Sequence, residues 1–184
     1  RQQIICSRSF GERIYDLDNL QESVSNHITR AAEKLRQQDS LAGAVSVFIQ
    51  TSPFLEPASR YQKSVTMPLS EATADSRLLA RTALQTLRKI YRPGFAYQKA
   101  GVMLSDIYSC QQQQGSLFST CDSLKNNASD KRLMQTLDHI NSRWGRGTLR
   151  LASEGTKGEW QMKRDHLSPA YTTEWDGLPV VKAR

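Results

Sequence analysis

The chain has 184 residues, of which 38% are hydrophobic and 23% charged, and its formal net charge is +7. No apolar run approaches the roughly 18 residues of a membrane-spanning helix, and the first ten residues lack the anatomy of a signal peptide. The length fits one domain with a small appendage. We expect a cytoplasmic piece of a longer protein, because the chain lacks an initiator Met and opens directly into a strand-like run.

The thiols and imidazoles are too scattered for a disulfide framework or a zinc site. The cysteines are Cys6, Cys110 and Cys121, and the histidines are His27, His139 and His166. Such sites need closely spaced ligands, and no CxxC pair occurs. We therefore expect a reduced protein with incidental thiols.

The first 108 residues predict the element order strand, helix, strand, strand, helix, strand. The opening run QQIICSRSF is short and rich in β-branched residues. The segment from Asp16 to Asp39 then carries apolar residues at helical spacing, with Asp18 as the expected N-cap and Gln21 placed to close a capping box. The runs AGAVSVFIQTS and RYQKSVTMPL alternate apolar and polar residues, as half-buried strands do.

A second helix is expected after Asp75, its N-cap, and ends at the RPG sequence of residues 92–94. The run FAYQKAGVMLSDIY supplies the last strand. This β-α-β-β-α-β order predicts an α+β fold, in which a four-stranded sheet carries both helices on one face. The other face of that sheet is left to water or to a ligand.

Small polar side chains are expected on the uncovered face. Ser7 and Ser9 flank Arg8, residues 60–66 are polar at alternate positions, and Lys99 lies on the last strand. Such donors on extended backbone suit the tracking of a sugar–phosphate chain without base readout, although ordinary solvated strands have the same composition. The aromatic candidates are Phe10, Tyr61 and Tyr97, of which Tyr61 is expected to face the core.

Residues 109–130 predict a flexible linker that carries two large apolar residues at its centre, Leu117 and Phe118. An exposed Leu-Phe pair needs a partner or another part of the chain to cover it. The net charge is +4 over residues 1–109 (14 basic against 10 acidic), −1 over 110–130 (1 against 2) and +4 over 131–184 (10 against 6). Both foldable parts are therefore basic and favour a polyanionic partner.

Residues 131–184 predict a small mixed module. The run KRLMQTLDHINSRWG fits a short amphipathic helix that ends at Gly145, and GTLRLAS fits a strand. The apolar side chains of this helix are Leu133, Leu137 and Ile140. The module also contains Trp144, Trp160 and Trp175. So small a module can hardly bury three indoles alone, so we expect it to dock on something or to order on binding.

Two parts of the sequence resemble the Y-family of translesion DNA polymerases. The run IICSRSFGERI with the helix after it, and YQKAGVMLSDI with the Gln-Leu-Phe connector, resemble the little-finger domain of that family. The tail from LMQTLDHINSRWGRGTLRLASEG to EWQMKRDHLSPAYTTEWDGLPVV resembles the C-terminal region of the UmuC-like branch. The resemblance divides the chain into a little finger (1–108), a linker (109–130) and a C-terminal UmuC-type module (131–184).

The resemblance implies that a catalytic palm, fingers and thumb precede residue 1 in an error-prone polymerase of SOS mutagenesis and damage tolerance, which acts at the nucleoid. Polymerase chemistry uses carboxylates that hold two magnesium ions, and the acidic residues of this chain are mostly isolated. We therefore expect no catalytic residue, metal ligand or cofactor in this chain. A small nuclease remains an alternative, but it needs a metal cluster or a nucleophile–base pair, and neither is visible.

The resemblance also implies that the sheet lies along primer and template DNA without sequence preference. The expected DNA contacts are Ser7, Arg8, Ser9, Arg60, Lys63, Ser64, Thr66 and Lys99. Among them, Lys63 and Lys99 are open to either face, because simple alternation could turn them inward.

A third implication is a tether to the bacterial sliding clamp through a short motif similar to Gln-Leu-[Ser/Asp]-Leu-Phe. Gln114, Ser116, Leu117 and Phe118 match that motif, whereas Gly115 stands where Leu is common. The Leu-Phe pair would enter an apolar pocket while the Gln114 amide orients the peptide. The alternative is that the pair packs on its own domain as a hydrophobic latch.

An alternative function is a protein-interaction module with little DNA binding of its own. By resemblance its partners would be a UmuD-like accessory dimer and the RecA filament. The expected contacts are Trp144, Trp160, Trp175, Arg143 and Arg146. The two functions are compatible, and both are expected in the intact protein.

Overall fold

The computed structural model describes residues 2–110, 121–156, 158 and 160–162, and of residues 121–128 the backbone only. Its strands are β1 (Ile4–Ile14), β2 (Ser40–Thr51), β3 (Gln62–Thr73) and β4 (Tyr97–Ser109), and its helices are α1 (Leu17–Gln37), α2 (Ser76–Ile90) and α3 (Cys121–Trp144). Short 3-10 turns lie at Pro57–Ser59 and Ala152–Glu154. The element order predicted for the first 108 residues is confirmed.

Helices α1 and α2 begin at aspartates that accept hydrogen bonds from the first helical turn. Asp16 caps α1, because its Oδ2 accepts from the backbone N–H of Asn19 at 2.9 Å. The predicted cap, Asp18, lies inside the first turn, so that prediction is wrong by two residues. The predicted cap of α2 is confirmed, since Asp75 Oδ1 accepts from the backbone N–H of Arg77 at 2.8 Å. Each such cap stabilises its helix by about 1 kcal/mol.

The four strands form one antiparallel sheet in the order β1-β4-β2-β3. Side chains alternate between its two faces, and one face is apolar. The fully buried positions of the central strands are Ala100, Val102 and Leu104 on β4, and Val45, Val47 and Ile49 on β2. They share one core with α1 and α2, so both helices cover this face and form a helix layer, as the sequence predicted.

The core combines aliphatic side chains of the helix layer with aromatic rings near the end of α2. Leu20, Ile28 and Leu87 are fully buried, and burial of such a side chain stabilises the fold by roughly 1.5–3 kcal/mol. The Tyr61 ring lies 4.9 Å from that of Phe95, and its hydroxyl donates to a backbone carbonyl of α2 at 2.6 Å. The expectation that Tyr61 faces the core is therefore confirmed.

Helix α3 packs on the helix layer, and it is longer than the sequence predicted. It begins at Cys121, so residues 121–130, predicted as flexible linker, are helical. Its buried side chains include Met134 and the predicted Leu137, whereas Leu133 is 45% exposed. Met134 therefore takes the core position that the sequence assigned to Leu133. The predicted end at Gly145 is confirmed, where φ is +101°.

The strand predicted for residues 147–153 is wrong. Leu149 bonds instead to the side chain of Asn141, which accepts from its backbone N–H and donates to its carbonyl, both at 2.9 Å. Gly147 has a φ of +84°, which lies outside the range of strands. The local amide of Asn141 thus supplies the partners that a neighbouring strand would have offered.

Candidate nucleic-acid interface

The face of the sheet opposite the helix layer, called the open face below, presents three rows of side chains across all four strands. From β1 to β3 the rows are Ile5–Met103–Ser46–Thr66, Ser7–Gly101–Phe48–Ser64 and Ser9–Lys99–Gln50–Gln62. Hydroxyl and amide side chains dominate these rows. Lys99 is their one charged residue, so the open face is polar and weakly cationic.

The middle row depends on a glycine. A Cβ atom on Gly101 would lie 2.3 Å from Cζ of Phe48 and 2.4 Å from Cβ of Ser7, closer than atoms can approach. Only glycine therefore lets the Phe48 ring lie over β4 at this point. The partly buried ring divides the open face into a serine side at β1 and a second serine side at β3.

Five of the eight predicted DNA contacts lie on the open face, namely Ser7, Ser9, Ser64, Thr66 and Lys99. Among them Thr66 shares a hydrogen bond of 2.7 Å with the hydroxyl of Ser46. The ambiguity that the sequence left at Lys99 is thus resolved toward the open face.

Three predicted contacts do not lie on the open face. Arg8 pairs with the buried Ala100 and Lys63 pairs with the buried Ile49, so both occupy positions of the helix-covered face. A shift of one residue along a strand reverses the face, which is why these two differ from their neighbours. Arg60 precedes β3, and its Nε donates to the carbonyl of Leu55 at 2.6 Å.

The sequence reasoning missed Phe48, Gln50 and Gln62, which complete the two polar rows nearest the start of β3. A signal for Phe48 was present. Because Val45, Val47 and Ile49 were recognised as one apolar face of β2, strict alternation puts Phe48 on the other face. An aromatic side chain does not by itself distinguish the core from the open face, and the space over Gly101 that receives Phe48 is a tertiary feature.

The tail is held on the helix layer by a guanidinium of α1. Arg36 donates Nε and Nη2 to the two carboxylate oxygens of Asp138 on α3, at 2.6 and 2.7 Å. Its Nη1 donates to the carbonyl of Ala74 at 2.8 Å and to Oγ of Ser76 at 2.9 Å. Every nitrogen of this guanidinium is thereby bonded, and the end of α1, the start of α2 and the middle of α3 are joined at one point.

A second ion pair fixes the preceding part of α3. Arg77 Nη2 lies 2.6 Å from Asp75 and 2.5 Å from Asp130 of α3. Hydrogen bonds to Asp75, and then to Asp130, raise the pKa of Arg77 above its usual range. Both carboxylates therefore hold a permanently charged guanidinium at the start of α2.

Beyond α3, the chain returns to α1 and buries a tryptophan there. Trp160 is 5% exposed, and its ring meets that of His27 edge-on with 5.8 Å between centroids. The buried Glu154 accepts a hydrogen bond from Asn26 Nδ2 at 3.2 Å. Burial, and then the positive charges of Arg30 and Arg8, lower the pKa of His27 to about 4. The imidazole is therefore neutral at physiological pH.

The predicted partner contacts fall into different environments. Trp160 is turned inward on α1 and is not available to a partner, so that prediction is wrong. Arg146 lies 3.3 Å from Glu33 of α1 in an exposed ion pair. Trp144 is 60% exposed, with the guanidinium of Arg143 4.8 Å from its ring centroid. The remaining predicted contacts lie outside the described residues: Trp175 and the clamp-motif residues Gln114, Ser116, Leu117 and Phe118.

Among the described residues, no three His, Cys, Asp or Glu side chains come close enough together to hold a metal ion. None of the described helices combines the length and apolar character that a membrane crossing requires. Cys6 and Cys110 are free thiols, the first buried and the second partly buried.

Comparison with known sequences gives a family match for each of the two parts of the chain. The C-terminal domain of the impB/mucB/samB family matches residues 1–117, and a domain of unknown function, DUF4113, matches residues 131–181. UmuC of Salmonella typhimurium is 43% identical over 182 residues, and MucB of Escherichia coli is 42% identical over 181 residues. These matches cover 99% and 98% of this chain, which spans 42% of the length of each relative.

Comparison with solved structures gives likenesses to the little-finger domain of PolIV, in its complex with the beta-clamp processivity factor, and to DinB of Sulfolobus solfataricus. The TM-score is 0.45 for both, at 15% and 14% identity. The first covers 64% of this chain and 99% of the PolIV chain, and the second covers 58% and 29%. Since the family match extends over residues 1–117 and the relatives align over nearly all 184 residues, the chain belongs to the impB/mucB/samB family and is a UmuC-like sequence.

Proposed function

We propose that this chain holds DNA for a translesion polymerase, with the open face of its sheet against the sugar–phosphate backbone. The observation that carries the proposal is the position of the tail. Helix α3 and the segment through Trp160 pack on the helix layer, and of the twelve positions in the three rows of the open face only Ser46 and Gly101 are buried. A family member that keeps a polar sheet face free has a surface available for a ligand.

The chemistry of the open face suits phosphate and sugar contacts better than base recognition. Hydroxyl and amide groups on extended strands donate hydrogen bonds to phosphate oxygens, and Lys99 adds one positive charge. No carboxylate lies in the three rows to repel a phosphate. The middle row carries Ser7, Gly101, a partly buried Phe48 and Ser64, which are too short or too buried to enter a groove and read base edges.

Binding of a fluorescent DNA duplex, followed by anisotropy between 50 and 300 mM salt, tests this proposal. We expect equal affinity for two unrelated sequences and a loss of affinity with salt, because released counterions drive such binding. Lys99→Gln is expected to reduce the slope of log K against log salt by about one, since it removes one phosphate contact. Sequence-specific binding, or an isotherm that does not change with salt, would refute it.

We also propose that the chain is tethered to the sliding clamp by Gln114, Ser116, Leu117 and Phe118. The support is the sequence motif, whose Leu-Phe pair would contribute roughly 3–6 kcal/mol before ordering costs, in keeping with micromolar affinity. A labelled peptide of residues 109–123 is expected to bind purified clamp. The Leu117→Ala, Phe118→Ala peptide is expected to lose that binding. If neither peptide binds, the pair is a latch within its own chain.

The intact protein is proposed to be an error-prone DNA polymerase of SOS mutagenesis and damage tolerance, located in the cytoplasm at the nucleoid. The described residues do not fit the two magnesium ions of polymerase chemistry, because they offer no cluster of carboxylates. We propose that this chain serves in that polymerase as a DNA-holding and clamp-binding part, and that the catalytic carboxylates belong to another part of the intact protein.

A second candidate function is binding of a UmuD-like dimer and the RecA filament through the tail. The observation that favours it is the exposed Trp144 beside Arg143, since Trp and Arg are enriched at the centres of protein interfaces. Capture of either purified partner by the chain, compared with Trp144→Ala, tests this function. Deletion of residues 131–184 is a poorer test, because it would expose the α1 surface that Trp160 covers.

A further inference from the structure

We propose that the outer surface of α3 and the turn after it form a second nucleic-acid site, which binds single-stranded nucleic acid by base stacking on Trp144. This surface is separate from the open face of the sheet. The inference rests on features of the tail alone, and it does not require the proposed function of the sheet.

Helix α3 divides its described side chains between two faces. The inner face carries Met134 and Leu137, with Asp138 bonded to α1. At spacings of four, three and four residues, the opposite face carries an exposed stripe of Arg132, Thr136, His139 and Arg143. The stripe is about 16 Å long, because each residue of a helix rises about 1.5 Å. It is a cationic ridge that ends at the indole of Trp144.

The backbone around Trp144 is held in place by hydrogen bonds. The turn of residues 145–150 folds back on the helix, since Thr148 Oγ1 donates to the carbonyls of Trp144 and Gly145, and Leu149 bonds twice to Asn141. The indole is nevertheless 60% exposed. Because the backbone under the ring is already ordered, a ligand that stacks on it loses little additional conformational entropy of the protein.

Among the described residues of the tail, the acidic side chains are held on the inner side and the outer side carries cations. Asp130 and Asp138 point to guanidiniums of the helix layer, and Glu154 is buried against Asn26. The exposed charged residues of the described tail are Lys131, Arg132, Arg143, Arg146 and Arg150. Of these five, only Arg146 forms an ion pair within the described residues. The outer surface therefore attracts a polyanion.

An exposed indole among cations favours the binding of single-stranded nucleic acid over other polyanions. A base can stack on the indole only when it is free of its own duplex stack, whereas phosphates reach the arginines in either case. Arg143 already lies on the ring and can add a cation–π contribution. An acidic protein would use the cations but would gain nothing from base stacking. The geometry thus favours single-stranded nucleic acid.

The test compares two labelled 20-mers on the whole chain by anisotropy, oligo-dT and an abasic strand with the same phosphates. We expect oligo-dT to bind more tightly. Trp144→Ala is expected to weaken oligo-dT binding roughly tenfold, with little effect on the abasic strand. Phe54→Ala is the matched control, because it removes a ring that is 93% exposed on the β2–β3 loop and is expected to leave both affinities unchanged.

A charge control completes the experiment. The double substitution of Arg132→Ala and Arg143→Ala is expected to weaken the binding of both strands. Arg81→Ala, which removes an exposed arginine of α2, is expected to leave both affinities unchanged. Equal affinity for the two strands, or no effect of Trp144→Ala, would overturn the proposal and leave an acidic protein as the occupant. The single-strand site at Trp144 can be confirmed even if duplex binding proves not to depend on Lys99, so the two proposals are tested separately.

Discussion

The ion pair between Arg36 and Asp138 gives the most specific prediction about how α3 is held on the helix layer. Asp138→Ala removes both carboxylate oxygens from a guanidinium whose side chain is only 13% exposed. Arg36 keeps its bonds to the carbonyl of Ala74 and to Ser76, so its charge is not left wholly unpaired. The expected result is weaker docking of α3, which opens more often while the core of the sheet and helix layer stays folded.

The size of this loss follows from the burial of the pair. Exposed ion pairs contribute about 0–1 kcal/mol, and removal of one partner of a fully buried pair costs about 3–5 kcal/mol. Asp138 is 31% exposed, so we expect the free energy that this ion pair contributes to lie between these limits. We therefore expect Asp138→Ala to destabilise α3 docking by about 2 kcal/mol. Arg146→Ala is the matched control, because its side chain is 77% exposed in the pair with Glu33.

Native-state hydrogen exchange of α3 amides measures local opening directly. A loss of about 2 kcal/mol corresponds to exchange roughly 30-fold faster in α3, with little change in β2 and β4. Arg146→Ala is expected to change α3 exchange by less than about threefold. If the two variants have equal effects on exchange, or if Asp138→Ala leaves the exchange of α3 unchanged, the ion pair between Arg36 and Asp138 does not hold the tail and the reasoning is wrong.

Three further expectations concern the open face and the buried imidazole. Gly101→Ala should destabilise the fold by about 1–3 kcal/mol in urea unfolding, and Phe48→Ala in the same chain should recover part of that loss, since the two compete for one space. Because the pKa of His27 is lowered to about 4, the unfolded chain binds a proton that the folded chain does not, so stability should fall as pH drops from about 6.5 to 4, by up to about 3 kcal/mol. His27→Gln should flatten that profile. Trp160→Ala should admit water to His27 and raise its pKa toward 6.5 in an NMR titration, and an unchanged pKa would contradict the packing described.

The fold of the first 108 residues could be predicted because local patterns and tertiary structure agree there. Alternation in β2 and helical spacing in α1 both mark the side that packs into one core. The cap of α1 was misplaced by two residues, because Asp16 and Asp18 both offer a carboxylate. Only the backbone conformation, extended at Asp16, selects between them.

The candidate site was predicted in part, and the errors have two physical sources. Arg8 and Lys63 were grouped with neighbours of like polarity, although alternation along a strand separates them from those neighbours. Long basic side chains reach solvent from either face of an edge strand, so their polarity does not report the face. Phe48 could have been placed by alternation, but its space over Gly101 exists only once β2 and β4 are paired.

The tail was the least predictable part, because its conformation depends on the surface that it meets. The sequence indicated that its tryptophans needed a partner, and α1 is that partner for Trp160. Nothing in the local pattern distinguishes Trp160 from the exposed Trp144. Likewise, Asp138 stands in a polar run, and its role follows only from Arg36, which lies 102 residues earlier in the chain.

The most direct test of the central claim, that the open face holds DNA, is a comparison of Lys99→Glu with Lys63→Glu in duplex binding at low salt. The two substitutions make the same change of charge on opposite faces of one sheet. The account predicts that Lys99→Glu weakens binding at least tenfold, whereas Lys63→Glu has a several-fold smaller effect. Equal losses in the two variants, or a greater loss for Lys63→Glu, would contradict it.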